Sequence, residues 1–283
     1  MNLLQAILFG IIQGLSEFLP ISSTAHLTLT GKLLINDIID QYPDRWTAFM
    51  AVIQLGTLLA VLIYFRNDLI NIIREFIKDN LTHRKSFKDQ GINSRMGWYI
   101  VIGTLPVVII GLVFKDYIEG AFTKNLIVIS LSLIILGILL AIAEKVSSFR
   151  KDINHLSWVD SLVVGIAQSF ALIPGSSRSG TTITAGLFLG FTRETAARFS
   201  FLLSIPAVLA SGLLELKESL PFLDKTMTLN LVFATLAAFI SGYFAIDFLL
   251  KFLKRKSTFV FVFYRIILGV LILTLIGFNI INP

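Results

Sequence analysis

Long apolar segments separated by short polar ones run through the whole sequence. A helix needs about 20 residues to cross roughly 30 Å of hydrocarbon, and six segments come close to or reach that length. They cover residues 47–65, 97–114, 126–143, 196–214, 229–250 and 258–278. The pattern therefore predicts an all-α integral membrane protein with six transmembrane helices.

Two further apolar segments are each interrupted by polar residues and a proline. The four halves cover residues 3–12, 27–35, 162–173 and 182–191. Each half is too short to cross a membrane, and Pro20 and Pro174 end any helix at the interruption. The sequence therefore predicts two re-entrant helical hairpins, over about 3–35 and 160–191, whose tips are buried in protein or line a cavity.

The order of one hairpin followed by three spans occurs twice. The clearest matches in letters, at nearly constant spacing, pair Thr104-Leu105 with Thr235-Leu236 and Ile134–Gly137 with Ile266–Gly269. A hairpin returns to its own side and three spans reverse the direction of the chain, so the second half is inverted. We predict an inverted-topology repeat in one membrane domain, with residues 1–150 as the first repeat and 151–283 as the second.

Composition and charge agree with a membrane protein. The chain is 55% hydrophobic and 15% charged, whereas soluble domains carry about 25% charged residues. The absence of cysteine excludes disulfides, thiolate catalysis and Cys-ligated metals. The net charge of +6 could suggest nucleic acid, but the basic residues lie in loops between apolar spans, so no nucleic-acid partner is expected.

The basic loops also predict an orientation. They cover residues 66–95, 144–157 and 251–256. If all three are cytoplasmic, both termini lie outside, the first hairpin enters from the outside and the second from the cytoplasm. The amino terminus lacks the features of a cleaved signal peptide, so we expect Met1 to be retained. In such folds broken helices meet near the midplane, with half-helix N-termini aimed at an anionic ligand.

The first interruption carries the motif Gln13-Gly-Leu-Ser-Glu17-Phe-Leu-Pro20-Ile-Ser22-Ser23-Thr24-Ala-His26. Polar groups at membrane depth cost several kcal/mol each unless they are paired or functional. Glu17 is a candidate divalent-ion ligand or general base, with a helix-packing hydrogen bond as the alternative. His26 could take the proton of a serine nucleophile such as Ser23, attack phosphorus itself or protonate a leaving group. The alternative is a histidine bonded to a backbone carbonyl.

The second interruption carries the motif Gln168-Ser-Phe-Ala-Leu-Ile-Pro174-Gly175-Ser176-Ser177-Arg178-Ser179-Gly180-Thr181-Thr182. The planar fork of Arg178 suits a phosphate, and the alternatives are snorkelling to the interface or pairing with Glu194. Gly175 and Gly180 let the backbone approach a ligand closely. Hydroxyls after each proline are expected to cap the second half-helices, whose positive ends suit a phosphate. The substrate-binding candidates are Gln13, Ser22, Thr24, Gly175, Ser176, Ser177, Ser179 and Thr182.

Together the two motifs resemble the signature regions of the bacterial undecaprenyl-diphosphate phosphatases, the bacitracin-resistance family, over essentially the full chain. The resemblance implies hydrolysis of undecaprenyl diphosphate to undecaprenyl phosphate and phosphate, at a site that opens to the outside of the bacterial plasma membrane. That reaction recycles the lipid carrier for peptidoglycan synthesis and confers bacitracin resistance. By position, Glu17, Ser23, His26 and Arg178 match the family's catalytic residues, with Mg²⁺ or Ca²⁺ at Glu17. Whether Ser23 or His26 attacks phosphorus stays open.

Gln13 departs from the family pattern, because many members have a second glutamate there. A neutral amide weakens a two-carboxylate metal site and leaves Glu17 as the ligand. The alternative function is an inverted-repeat transporter or flippase for a lipid phosphate or other anionic substrate. The expected partners are the lipid substrate and membrane lipid, and a homodimer is left open. A composite site requires Glu17, His26 and Arg178 to converge within about 3 Å contacts of one phosphate group.

Overall fold

The structure is a computed structural model that describes residues 1–114, 125–220 and 223–282, apart from the side chains of residues 37, 38, 40, 43 and 44. The α-helices of the described part are α1 (Leu3–Phe18), α2 (Ser23–Gln41), α3 (Pro43–Tyr64), α4 (Arg66–Ile77), α5 (Ile92–Val113), α6 (Leu126–Val146), α7 (Trp158–Ser169), α8 (Arg178–Phe188), α9 (Arg193–Ser219), α10 (Lys225–Leu253) and α11 (Phe259–Gly277). Between them, one isolated β-bridge joins Lys151 and Phe191. The short turn expected between the second and third predicted spans, around 115–124, lies outside the described residues.

The six predicted spans are confirmed. Within the described residues, six helices are long and apolar enough to cross a membrane: α3, α5, α6, α9, α10 and α11. Some extend beyond the apolar segment: α9 covers 193–219 rather than 196–214, because its first turn is capped by Thr192, whose side chain accepts a hydrogen bond from the Thr195 amide. The fold is therefore an all-α bundle of membrane-length helices.

The helices around the two interruptions are short. Helix α1 has 16 residues and α7 has 12, fewer than the roughly 20 needed to cross a membrane. Helix α1 nevertheless runs further than the apolar segment predicted, through Glu17 to Phe18, and ends because Leu19 takes the extended backbone favoured before Pro20. Helix α2 is also longer, with non-helical backbone at Ile35. Re-entry into the membrane, the inverted repeat and the division at residue 150 remain predictions.

Both short helices lie against the backbone of a longer one. A Cβ at Gly10 of α1 would lie 2.1 Å from the carbonyl oxygen of Ala234 in α10. A Cβ at Gly165 of α7 would lie 2.3 Å from the carbonyl oxygen of Gly103 in α5. Small residues allow such contacts, which drive helix association in lipid, where van der Waals packing replaces the hydrophobic effect. The two short helices are therefore held by membrane-length neighbours.

The three basic loops converge on one end of the bundle. Glu144, at the end of α6, accepts hydrogen bonds from Arg193 Nε at 2.7 Å and from Thr258 Oγ1 at 2.9 Å. Arg198 in α9 pairs with Asp68 in α4 at 2.8 Å. These contacts join the starts of α4, α9 and α11 to the end of α6, so the loops predicted to be cytoplasmic share one face of the protein.

The chain ends lie away from the basic loops. Asn230, near the start of α10, donates to the Met1 carbonyl oxygen at 3.0 Å, and Lys32 of α2 donates to the Asn282 carbonyl oxygen at 2.8 Å. Helix α10 has 29 residues and reaches the basic loops only at its other end. The arrangement agrees with termini on the side opposite to the basic loops.

Candidate active site

Helices α2 and α8 both begin at the site, and their N-termini have the same type of cap. Ser22 Oγ accepts from the Ala25 amide at 3.3 Å, and Ser177 Oγ accepts from the Gly180 amide at 3.1 Å. Both cap residues have a positive φ, 73° and 67°. Such backbone is uncommon for residues other than glycine and concentrates at functional sites. The predicted capping role is confirmed for these two serines.

Glu17 is the point where the two motifs meet. Arg178 Nη2 donates to Glu17 Oε1, across 161 positions of sequence. Gln13 Nε2 at 2.8 Å and Ser23 Oγ at 2.7 Å donate to Glu17 Oε2. The carboxylate is buried and the arginine side chain is 18% exposed, so the ion pair is shielded from water. Of the three residues that a composite site requires to converge, Glu17 and Arg178 meet here, whereas His26 does not line the cavity beside them.

The alternative partner for Arg178 is wrong. Glu194 instead pairs with Lys254 at 3.2 Å, at the end of the protein that carries the basic loops. Arg178 is the first residue of α8, and the next helical residues, from Ser179 to Leu187, are all buried. An arginine on such an enclosed helix cannot extend to an interface, so it points to the other motif.

His26 does not bond to Ser23, whose proton it was expected to be able to take; it contacts a backbone carbonyl, as in the alternative. Its Nδ1 lies 2.7 Å from the Ser22 carbonyl oxygen and its Nε2 lies 2.6 Å from Tyr264 Oη. The His26 and Tyr264 rings are stacked, with centroids 5.5 Å apart. Ser23 donates to the Glu17 carboxylate because a charge-assisted hydrogen bond is stronger than a bond to a neutral imidazole. His26 therefore faces α11 while Ser23 faces α1.

The other hydroxyls of the second motif mainly form hydrogen bonds that hold α8 in place. Ser179 Oγ donates to the Leu19 carbonyl oxygen at 3.1 Å and so links α8 to the end of α1. Thr182 Oγ1 donates to the Arg178 carbonyl oxygen at 2.7 Å and lies 2.6 Å from Ser200 Oγ of α9. These bonds hold the first turn of α8, and with it the Arg178 side chain, in position.

The glycines of the second motif allow contacts within the protein. Gly175 has a φ of 85°, and a Cβ there would lie 2.4 Å from the Ile129 carbonyl oxygen of α6. A Cβ at Gly180 would lie 2.4 Å from Arg265 Nη1. The close approach that the sequence predicted is therefore made to α6 and α11, although Gly175 also lines the cavity described next.

A cavity of about 410 Å³ opens beside the Glu17–Arg178 pair. Its polar end includes Glu17, Ser22, Ser23, Thr24, Ser177 and Arg178. The wall from α5 and α9 is mainly apolar, with Val107, Val108, Leu112, Ala207, Ala210 and Leu214, and α9 adds the polar residues Ser211 and Glu215. Leu112 is 72% exposed, so the apolar part of this wall continues to the outer surface of the bundle. The cavity combines a polar end and an apolar exit, as an amphiphilic ligand requires.

Several buried polar atoms of the two motifs lack a partner within the described residues. They are Gln13 Oε1, both amide atoms of Gln168, and Ser176 Oγ. Gln168 is fully buried and lines the cavity. An unsatisfied buried polar group costs about 1–3 kcal/mol, so a ligand in the cavity is the expected partner of the Gln168 amide. Gln168 begins the second motif, as Gln13 begins the first. This correspondence is the sequence signal that marks Gln168 as a residue of the site.

The donors around Glu17 fit an anion-binding site better than a preformed cation site. Arg178, Gln13 and Ser23 all donate hydrogen bonds, and they occupy both carboxylate oxygens. Within the described residues no group of three or more His, Asp and Glu side chains is placed to hold a metal ion. Mg²⁺ can be bound by one carboxylate plus substrate phosphates, but here Glu17 would first have to release Arg178.

Comparison with known proteins decides the family. A family model described as Bacitracin resistance protein BacA matches residues 6–271. The chain belongs to the BacA family. The match covers both motifs and all eleven helices described above in whole or in part, and it confirms the resemblance inferred from the motifs.

Relatives in the BacA family match along nearly the full chain. An undecaprenyl-diphosphatase of Syntrophobacter fumaroxidans is 61% identical over 269 residues, 95% of each chain. One of Chlorobaculum tepidum is 48% identical over 286 aligned positions, 98% of each chain. One of Myxococcus xanthus is 47% identical over 283 residues, all of this chain and 92% of the relative. With its six membrane-length helices, this BacA-family chain is a multi-pass membrane protein.

Tyr264 and Arg265 are two residues near the site that the sequence pattern did not single out. Both lie in α11, inside a segment predicted only as a membrane span. Tyr264 contacts His26, and Arg265 contacts both motif loops. An arginine in the middle of an apolar span is a signal for function by itself, so the sequence did contain a pointer to this position in the BacA-family fold.

Proposed function

We propose that this protein hydrolyses undecaprenyl diphosphate to undecaprenyl phosphate and inorganic phosphate. One observation carries the proposal: a single cavity joins Arg178, two helix N-termini and a serine bonded to a carboxylate with an apolar wall that leads to the lipid-facing surface. Membership of the BacA family and the undecaprenyl-diphosphatase relatives support the same substrate. They do not favour the transporter alternative.

The diphosphate is proposed to occupy the polar end of the cavity. Arg178 and the free backbone N–H groups in the first turns of α2 and α8 neutralise its charge. The Gln168 amide, which lacks a partner within the described residues, donates to a phosphate oxygen. The prenyl chain leaves along the α5 and α9 wall, past Leu112 into lipid.

Ser23 is the proposed nucleophile and Glu17 its base. In the free protein, Arg178 neutralises Glu17 while Ser23 donates to the same carboxylate at 2.7 Å. An incoming diphosphate carries more negative charge than one carboxylate. Arg178 therefore breaks its ion pair with Glu17 and binds a phosphate oxygen instead. Glu17 then loses its cation and accepts the Ser23 proton. Substrate binding thereby activates the base.

Bond making and breaking follow at the terminal phosphorus. A bond forms between Ser23 Oγ and this phosphorus, and the bond from phosphorus to the bridging oxygen breaks. Undecaprenyl phosphate leaves with the electron pair of that bond. Water then attacks the phosphorus of the phosphoserine, and the bond from phosphorus to Ser23 Oγ breaks. Glu17 returns its proton to Ser23 Oγ, and both protons of the water leave with the inorganic phosphate, so Ser23 and the Glu17 carboxylate are restored. Arg178 stabilises the charge on the equatorial oxygens in both steps.

Two observations support Ser23 over His26 as the attacking group. Ser23 lines the cavity, and both ring nitrogens of His26 are engaged, by the Ser22 carbonyl oxygen and Tyr264 Oη. His26 is proposed to position the Ser22 cap at the start of α2. The divalent cation implied by the family resemblance would have to arrive with the diphosphate oxygens, and no step above passes through it.

The proposed location is the bacterial plasma membrane, with the termini and the site towards the outside. The shared end of the three basic loops and the opposite position of both chain ends support this orientation. The proposed role is recycling of the lipid carrier for peptidoglycan synthesis, which also removes the target of bacitracin. Cysteine labelling of intact cells at the termini tests the orientation, and crosslinking in the same membranes tests for a homodimer.

Phosphate release from undecaprenyl diphosphate by the purified protein in detergent tests the activity. We expect Ser23→Ala and Arg178→Ala to lower kcat by about 10²-fold or more. Arg198→Ala is the matched control, because this arginine pairs with Asp68 at the far end of the bundle, and it should keep the wild-type rate. Wild-type protein that releases no phosphate but moves a labelled lipid phosphate across vesicles would instead identify a transporter.

A further inference from the structure

Arg265 is a fully buried cation whose hydrogen bonds go to backbone carbonyls. It lies in the middle of α11 and has 0% exposure. Within the described residues its guanidinium contacts carbonyl oxygens and no carboxylate. A charged group buried without an acidic partner is expensive. The groups that contact the Arg265 guanidinium indicate why an arginine is buried at this position.

The guanidinium of Arg265 joins three segments at the site. Nη1 donates to the Pro20 carbonyl oxygen at 3.3 Å, in the loop before α2. Nη2 donates to the Gly175 and Ser176 carbonyl oxygens at 3.3 and 2.9 Å, in the loop before α8. Its remaining bonds reach Leu133 and Ser132 in the middle of α6, at 3.3 and 3.4 Å. One side chain thus links both loops to a membrane-length helix.

Glycines on two neighbouring helices leave room for the Arg265 side chain. Gly180 in α8 faces Nη1, where a Cβ would approach to 2.4 Å. Gly137 in α6 faces the Arg265 Cβ, where a Cβ would lie at 3.4 Å. The planar fork of five donors can reach carbonyls in several directions, which a lysine ammonium cannot do from one position. The site is therefore built for arginine.

We propose that Arg265 is a positioning residue of the phosphatase site: it sets the separation of the two loops, and its buried charge adds to the positive potential at the diphosphate. The proposal rests on the proposed function. Arg178 follows directly after one loop, and Ser23 follows directly after the other. Their placement relative to Glu17 and to the terminal phosphorus depends on the separation that Arg265 fixes.

Activity and stability together distinguish positioning from a purely structural role. Arg265→Lys and Arg265→Met are compared with Arg193→Met, which removes a partly buried arginine from Glu144 at the opposite end. We expect all three to lower Tm. Arg265→Met should lower kcat at least 100-fold in the folded fraction, Arg265→Lys should recover about tenfold of that loss, and Arg193→Met should keep the wild-type kcat. Wild-type kcat in folded Arg265→Met, or equal kcat losses in Arg265→Met and Arg193→Met, would overturn the proposal.

A second measurement does not depend on phosphatase activity. The chain has no cysteine, so spin labels at Leu19→Cys and Ile173→Cys report the distance between the two loops directly. We expect Arg265→Lys to broaden or lengthen this distance distribution relative to the wild-type background, with Arg193→Lys unchanged. An unchanged distribution in Arg265→Lys would refute the positioning role, even if the protein had no phosphatase activity at all.

Discussion

Replacing Glu17 with glutamine separates the two effects that its carboxylate has on the site. The carboxylate accepts the Ser23 hydroxyl and holds Arg178 away from an incoming phosphate. Glutamine keeps the shape but removes the charge. Loss of the base should lower kcat by about 10²–10⁴-fold. Release of Arg178 should at the same time strengthen phosphate binding, so that kcat and Kd fall together.

The structure gives the size of the binding effect. A hydrogen bond to a charged group contributes about 1.5–3 kcal/mol. The Arg178 side chain is 18% exposed and that of Glu17 is 6% exposed, so partial screening favours the lower end of this range. About 1.4 kcal/mol corresponds to a tenfold change in a binding constant. We therefore expect Glu17→Gln to bind a diphosphate about tenfold more tightly.

The assay is titration of the purified variant with a non-hydrolysable alkyl methylene-diphosphonate, with and without Mg²⁺, beside phosphate release from undecaprenyl diphosphate. Glu194→Gln is the matched control, because that carboxylate pairs with Lys254 at the far end of the bundle. It should change neither value. Weaker diphosphonate binding by Glu17→Gln in Mg²⁺ would refute the exchange of Arg178 between carboxylate and phosphate, and would indicate that Glu17 binds substrate through the cation.

Three further substitutions test other parts of the site. Gln168→Leu removes a buried amide that has no partner within the described residues, so KM should rise about tenfold while Tm does not fall; both follow from phosphatase assays and thermal unfolding in detergent. Leu112→Asn on the apolar wall should raise KM for undecaprenyl diphosphate several-fold but not for a short-chain diphosphate, as a chain-length series would show. Gly175→Ala, at a φ of 85° with its Cβ 2.4 Å from the Ile129 carbonyl oxygen, should cost more than about 1–2 kcal/mol of stability, which denaturation measures.

Several parts of the fold were predictable because their causes are local. The length of each apolar segment gives the six spans, and proline backbone geometry gives the breaks near Pro20 and Pro174. Helix ends were less predictable: α1 extends through Glu17 because polar residues can continue a helix when its neighbours satisfy them. The caps at Ser22 and Ser177 follow from the position of serines before a helix, but their positive φ does not follow from sequence.

The sequence by itself determined which residues of this protein need an explanation, because a charge in an apolar segment is costly wherever it lies. Glu17 and Arg178 stood out for that reason, and Arg265 carried the same signal inside a span. Only the tertiary structure decided the partners. It brings Arg178 into contact with Glu17 across 161 positions of sequence. It also places the Ser23 hydroxyl against the Glu17 carboxylate and the His26 ring against Tyr264. These choices depend on how α1, α8 and α11 pack, which spacing along one helix cannot specify.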